Sequence, residues 1–436
     1  MKRKQQGPTR RRFMAAASRL LAAGVWSAAR PAPARSPNAR LRIAAIGVGN
    51  RGEINVLAAA NEEIVALCDV DQRYLEERRE RFPDARAYAD FRELLERESD
   101  LDAVIVSTPD HTHFPACLQA LQRRLHVYCE TPLVHRHADL KPLIEAAERA
   151  QAVTQTGNQY RASKSDRQAV AWLKAGVVGQ LREVHTWTDR PFWPQGGVRP
   201  AAAEPPKHLA WDLWLGPALE RPYAPEYHPL NWRGFWDFGG GALADRVPHL
   251  LDPLVAAFDL PPPQRIRAES SGATRDMAPN WSILRFDFPR TAATPGDSPT
   301  WQLVWYDGGK QPPQSLTGVS RLPGSGSLVI GSEARLFIPA LGAAPRLLVG
   351  PDRKSPPPPP LDPPETPSHM DQWLAACRDR TAAASNFAYG ARVAELCILG
   401  NVALRMNEPL RWDVAKNAPP ELLAPPIRPW LSAAPR

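Results

Sequence analysis

Between positions 41 and 157, short unbroken apolar runs alternate with stretches in which apolar residues recur every three or four positions. The runs at 41–46, 64–68, 103–106 and 127–129, mainly apolar, and the short segment 153–156 read as strands buried on both faces. The intervening segments 54–60, 72–81, 91–98, 115–123 and 138–151 carry helical periodicity. Strands and helices in regular alternation predict an α/β architecture, a doubly wound parallel sheet with helices on both faces.

After Asn158 the pattern changes. A helix over 165–175 leads to a strand over 183–188, and a loop region rich in aromatics and proline follows to about Trp236. A helix over 244–258 comes next, then strand-type runs at 264–270, 281–288, 301–306, 327–330 and 334–338. Over 281–288 the residues Leu284, Phe286 and Phe288 alternate, which predicts a strand with one face buried, as in an antiparallel sheet. Helices over 368–380 and 388–406 close an α+β second domain built on a large, mainly antiparallel sheet. The expected organisation is a leader over 1–34, a dinucleotide-binding domain over 39–157 and a substrate and oligomerisation domain over 158–436.

Composition adds three points. Proline, 48 of 436 residues, is used about twice as often as usual, so much of the chain between elements is loop, and the run 356–360 reads as a stiff spacer. The formal charge of +8 is concentrated in residues 1–34, which hold eight lysines and arginines and no acid. The remainder is formally neutral and offers no electrostatic footprint for nucleic acid. Five cysteines without a C-x-x-C pair argue against a disulfide framework or a zinc ribbon.

The basic start, the apolar stretch 13–26 and the small-residue site Ala32-Pro33-Ala34 have the three-part layout of a cleaved export signal. Arg10-Arg11-Arg12-Phe13 within it resembles the twin-arginine pattern, which implies a twin-arginine translocase as partner and a periplasmic or otherwise exported bacterial protein that folds around its cofactor first. Arg19 interrupts the apolar stretch, so no permanent membrane span is expected.

Gly47-Val48-Gly49-Asn50-Arg51-Gly52 falls between a predicted strand and helix, and Asp69 follows Gly49 by 20 residues at the end of the next strand. The glycines suit a tight turn, close approach of backbone to a pyrophosphate and close helix–strand packing, while the helix start supplies N–H donors for phosphates. Asp69 is placed to accept the adenosine ribose hydroxyls, which favours NAD; Arg73, four residues on, is a potential partner for the extra phosphate of NADP.

With these residues, Ser107-Thr108-Pro109-Asp110-His111-Thr112-His113, Glu130-Thr131-Pro132, Gly157-Asn158-Gln159, Trp236-Asp237-Phe238-Gly239-Gly240-Gly241 and the tail pair Trp412-Asp413, the chain resembles the glucose–fructose oxidoreductase / inositol dehydrogenase (Gfo/Idh/MocA) family. The resemblance implies NAD(P)-dependent oxidation or reduction of sugars, polyols or their derivatives by a homo-oligomer. It also implies a cofactor cradle of Gly47, Gly49, Asn50, Arg51, Gly52, Asp69, Thr108, Pro109, His113, Glu130 and Asn158. Asp245 and His249, spaced i, i+4, share a helix face and are expected to hydrogen-bond, with His249 as proton acceptor. Where the family has Glu-Lys-Pro this chain has Thr131, a donor without charge, and His135, His137, Arg233 and Arg246 are the alternative sources of charge. Arg233 and Asp237 are candidate substrate binders among six tryptophans, Trp187, Trp193, Trp211, Trp214, Trp232 and Trp236, whose faces suit either a pyranose or simple packing. No metal site is expected at His111 and His113. Loss of the lysine leaves two further readings open: redox-neutral, NAD-dependent glycoside cleavage, and a catalytically weakened binding protein.

Overall fold

In the computed structural model, residues 40–317, 322–340, 342–348, 360–406 and 409–411 are described. The leader with its arginines, the proline run up to 359 and the pair Trp412-Asp413 lie outside them. The first sheet is built from β1 (Arg42–Ile46), α1 (Arg51–Ala58), β2 (Glu63–Cys68), α2 (Gln72–Arg81), β3 (Arg86–Tyr88), α3 (Phe91–Arg97), β4 (Ala103–Val106), α4 (Asp110–Gln122), β5 (His126–Cys129), α5 (Leu140–Ala150) and β6 (Thr154–Thr156). Its six strands run in the order β3-β2-β1-β4-β5-β6 and every pairing is parallel. This is the doubly wound arrangement expected, with the order reversing between β1 and β4, where open α/β sheets bind ligands.

Beyond it come α6 (Lys164–Lys174), β7 (Leu181–Trp187), α7 (Trp211–Leu215), α8 (Gly241–Leu250), α9 (Asp252–Phe258), β8 (Arg265–Ser270), β9 (Ser282–Pro289), β10 (Thr300–Tyr306), β11 (Gly326–Gly331), β12 (Arg335–Pro339), β13 (Arg346–Leu348), α10 (His369–Asp379), α11 (Phe387–Met406) and β14 (Leu410–Arg411). The second sheet has eight strands in the order β13-β12-β11-β7-β10-β9-β8-β14. Only β7 and β10 pair in parallel; the other neighbours are antiparallel. Leu284, Phe286 and Phe288 of β9 are buried and their neighbours half-exposed, as their alternation predicts.

The expected helix over 244–258 is two helices, α8 and α9, meeting at Leu251. Pro253 accounts for the break: in a continuous helix its ring would meet the carbonyl of residue 249 and its missing N–H would leave that carbonyl unpaired. It sits instead in the first turn of α9, where neither cost applies. Pro248 is carried inside α8.

α11 is apolar on nearly every face and is buried accordingly. By length and composition it is the one described helix that could cross a bilayer, and 83% of its apolar window is covered by the rest of the protein. It lies between the two sheets: Gly390 meets Thr156 of β6, and Asn401 donates to the Gly240 carbonyl, 3.0 Å. Gly400 faces α8 so closely that a Cβ there would lie 2.5 Å from the Leu243 side chain. Gly400→Leu is therefore expected to lower stability by about 1–3 kcal/mol through overpacking, measured by urea unfolding, and to displace α8.

Candidate functional site

A cleft of about 620 Å³ opens at the carboxyl ends of β1 and β4 and is closed on its far side by the segment 212–233 and by α8. Its floor is the glycine loop. Gly47 has φ of +79° and packs on the Ser107 backbone, where a Cβ would come within 2.7 Å of the carbonyl oxygen. Gly52 lies against Gly47, where a Cβ would be 1.9 Å from the carbonyl oxygen, so α1 can start only if position 52 has no side chain. Gly49 is covered by the Tyr74 ring, and the Tyr74 hydroxyl accepts from Asn50 Nδ2 at 3.1 Å.

Asp69 reaches under this loop and accepts from the N–H groups of Val48 (2.8 Å), Gly49 (3.3 Å) and Asp71 (2.9 Å). Burial pushes its carboxyl up to about 6, against these hydrogen bonds. Arg73 is not turned toward Asp69: it holds Asp71 through Nε at 3.1 Å and Nη2 at 2.7 Å, and His228 takes the same carboxylate at 3.0 Å.

On the opposite wall Glu130 collects three donors on one oxygen, Arg51 Nε at 3.1 Å, Asn55 Nδ2 at 2.7 Å and Gln159 Nε2 at 2.8 Å. Burial pushes this carboxyl up, but Arg51 and the hydrogen bonds outweigh it and keep Glu130 ionised. Gly157 leaves room for it: a Cβ there would lie 2.4 Å from a Glu130 oxygen. His113 is clamped between the carbonyls of Pro132 and Thr108, 2.8 Å from each, and joins the two loops that carry Thr131 and Pro109. The Thr108 hydroxyl is buried in the cleft wall without a partner among the described residues. Glycines without room for a Cβ, a helix start and an unpaired hydroxyl facing one cleft fit a dinucleotide, with the loop and α1 at the pyrophosphate and Asp69 at the adenosine ribose.

Thr131, Asp245, Arg246 and His249 line the other end of the same cleft, together with Arg233 and Tyr160. The hydrogen bond expected between Asp245 and His249 is not formed. Asp245 is turned to Arg233 (3.6 Å) and Arg190 (3.9 Å), while His249 Nδ1 is buried without a partner among the described residues and the ring meets Tyr160 edge-on, centroids 5.6 Å apart. Burial, with the positive charge of Arg246, depresses the imidazole to about 4, so it is neutral at physiological pH.

Several sequence-based assignments move elsewhere. Asn158 is buried behind the cleft, bonded to Asp252 and Thr156. Asp237 is held by Arg199 and Arg221 outside the cleft and is not free for substrate. His135 and His137 are also outside it, against the Trp236 carbonyl (3.0 Å) and Glu395 (3.0 Å). His111 packs with Trp214 and Phe238, so of the two histidines only His113 faces the cleft. The six tryptophans are all buried; Trp211 stacks on Trp214, and only Trp214 and Trp232 reach the cleft. Packing is thus their main role.

Asp110 received no role from sequence. It opens α4 immediately after Pro109, lies in the cleft wall near Arg233, and burial pushes its carboxyl up to about 8. The available signal was its position in the first helical turn, which normally reads as simple dipole pairing.

Residues 41–158 match the Gfo/Idh/MocA oxidoreductase family, NAD-binding Rossmann fold, and residues 173–292 match the same family's C-terminal alpha/beta domain. The chain belongs to this family. A myo-inositol 2-dehydrogenase of Thermotoga maritima is 29% identical over 143 residues, 32% of this chain and 42% of that protein. A glycosyl hydrolase family 109 protein of Shewanella sp. (strain ANA-3) is 28% identical over 153 residues, 32% of this chain and 33% of that protein. The chain thus matches less than half the length of these curated relatives. In fold it is similar to the WlbA dehydrogenase of Bordetella pertussis, solved with NADH and UDP-GlcNAcA, at TM-score 0.61 and 17% identity over 86% of this chain and 99% of that one.

Gly49→Val would drive a branched side chain into the Tyr74 ring and the space above the loop. Binding of NAD by calorimetry is expected to fall at least about 100-fold with the circular dichroism unchanged. Asp110 gives a pH signature. Its folded value lies above its unfolded one, so its contribution is full below about pH 4 and is lost as pH rises through about 8. Asp110→Asn removes that loss, and urea unfolding is expected to show the variant gaining ~2 kcal/mol or more on wild type between pH 4 and 8.5. Parallel pH profiles would mean that the carboxyl ionises normally.

Proposed function

We propose that the protein is an NAD-dependent oxidoreductase that moves hydride between a secondary alcohol of a sugar, polyol or sugar derivative and the nicotinamide ring. The observation that carries this reading is the meeting, in one cleft, of the glycine loop with Thr131 and with Asp245, Arg246 and His249 of α8. Bound NAD supplies the hydride acceptor. The chain's own residues fix the alcohol and take its proton. His249 is neutral and therefore able to accept a proton, but with a value near 4 it is a weak base, so the developing alkoxide needs a hydrogen bond as well. Thr131 provides that donor without a charge. Asp69 and the pairing of Arg73 with Asp71 favour NAD over NADP, because a 2′-phosphate would meet carboxylates rather than a free guanidinium.

Export of the folded, cofactor-loaded protein by the twin-arginine route belongs to this reading, on the strength of Arg10, Arg11 and Arg12 ahead of Phe13. So does a homo-oligomer, on the family resemblance. A second reading, redox-neutral cleavage of a glycosidic bond through transient oxidation, is favoured by the family 109 glycosyl hydrolase relative and by the uncharged Thr131.

The test is nicotinamide absorbance at 340 nm with the purified protein and a panel of hexoses, inositols and uronic acids. Substrate-dependent NAD reduction is expected, and Thr131→Lys is expected to raise it by about 10-fold or more. Aryl glycoside cleavage with no net reduction, unimproved by the lysine, would move the assignment to the second reading. Absence of bound NAD(H) in the native mass spectrum together with no turnover would overturn both.

A further inference from the structure

The charges along the cleft divide into two groups. Toward the cofactor end each cation has its own anion: Arg51 with Glu130 at 3.1 Å and Arg92 with Asp90 at 2.7 Å. At the other end the balance fails. Asp245 is shared by Arg233 and Arg190, at 3.6 and 3.9 Å, both longer than a hydrogen bond. Arg246, next to Asp245 on α8, is only 9% exposed, lines the cleft and has no ion pair or hydrogen bond among the described residues; its Nε is buried without a partner. Two guanidinium groups therefore share one carboxylate, and a third, that of Arg246, has no anion of its own among the described residues.

The neighbouring acids do not correct this. Asp110, the other carboxyl near Arg233, is protonated up to about pH 8, and Asp189, near Arg190, is exposed to solvent. The arginines have no corresponding escape, because a guanidinium does not release its proton in a protein. Arg233 is also held in place, its guanidinium 4.4 Å from the Trp232 ring centroid and 5.8 Å from that of Trp193. A buried, uncompensated cation is costly unless something negative joins it, and a planar fork of N–H donors matches the oxygens of a carboxylate or phosphate.

We propose that the substrate carries an anionic substituent, a carboxylate or a phosphate ester on the sugar, bound by Arg246 and Arg233 with Arg190 behind them. This rests on the reading of the cleft as a sugar or polyol site and narrows it to acidic members of that class. The neutral hydroxyls meet Thr131 and His249, while the anion completes the pairing that Asp245 leaves unfinished.

The experiment titrates the protein with its bound nicotinamide cofactor, at pH 7 and low salt, with glucose, glucuronate, glucose 6-phosphate, galactose and galacturonate, and reads calorimetry and tryptophan fluorescence. At least one acidic sugar is expected to bind about tenfold or more tightly than its neutral parent. Preference for the uronates over the phosphate, or the reverse, identifies the anion. Arg246→Met is expected to abolish the preference with unchanged circular dichroism, and Arg246→Lys to retain part of it. Should Arg246→Met fail to fold, Arg233→Met is the second variant and is expected to lose the same preference. The proposal falls if no acidic sugar is favoured over its parent, or if the preference survives in a folded Arg246→Met or Arg233→Met protein. Reduction of NAD by neutral sugars without any acidic preference would overturn this inference and leave the oxidoreductase reading standing. Acidic preference without NAD reduction or glycoside cleavage would do the opposite.

Discussion

The cleft depends on the burial of α11 between the two sheets. The glycine loop belongs to the first sheet and α8 packs with the second, so the distance between them is set by what fills the space behind. α11 fills it with a surface apolar on nearly every side and small where contact is tightest: Gly390 against Thr156, Gly400 against Leu243. One apolar cluster consequently runs from β1, β4 and β5 through α11 to β9 and β10 without a break. Interiors packed to this density transmit displacement rather than absorbing it, and Asp245 and His249 lie two and six residues beyond Leu243 on α8. Behind the cleft, Asn158 and Tyr389 both donate to Asp252.

Burial also decides which charges survive in the cleft. Asp110 is pushed up to about 8 and His249 down to about 4, so both are neutral at pH 7 for the same reason, the cost of holding charge away from water. Glu130 is just as buried and stays ionised, because Arg51, Asn55 and Gln159 all converge on it. The difference between Asp110 and Glu130 lies not in depth but in what reaches them: the Arg51 charge and three side-chain donors at Glu130, against backbone donors, the Arg233 charge and the like charge of Asp245 at Asp110.

What the sequence shows and hides follows from the range of the interactions. Strands of the first sheet are legible because burial on both faces leaves an apolar run that needs no partner to be recognised, and the glycine loop is legible because its constraint is steric and local. The start of α4 is misread for a local reason: Pro115 looks like a first-turn proline, whereas the helix begins five residues earlier at Asp110, after Pro109. β3, β13 and β14, two or three residues long, carry too few positions to show a period. The errors at the site are of another kind. The spacing of Asp245 and His249 permits a bond, but Arg233 and Arg190, 12 and 55 positions away in the chain, take the carboxylate. Asp237 is removed from the substrate list by Arg199 and Arg221 in the same way. A helix face can be read from spacing; competition for a carboxylate cannot.

That competition has a consistent direction. Asp245 is shared between Arg233 and Arg190 and Asp110 is neutralised by burial, while a guanidinium keeps its charge. Thr131, where the resemblance implies a lysine, brings no charge to this end of the cleft, yet the arginines leave it cationic. A neutral residue at 131 is therefore compatible with a site whose field is set elsewhere. Electrostatic stabilisation acts over several ångströms in a medium of low dielectric, so the charge near a developing alkoxide need not sit on the residue that donates its hydrogen bond. On the proposed oxidoreductase reading, hydrogen bonding in this cleft falls to Thr131 and His249 and positive charge to Arg233 and Arg246, two functions that the lysine implied by the resemblance would combine.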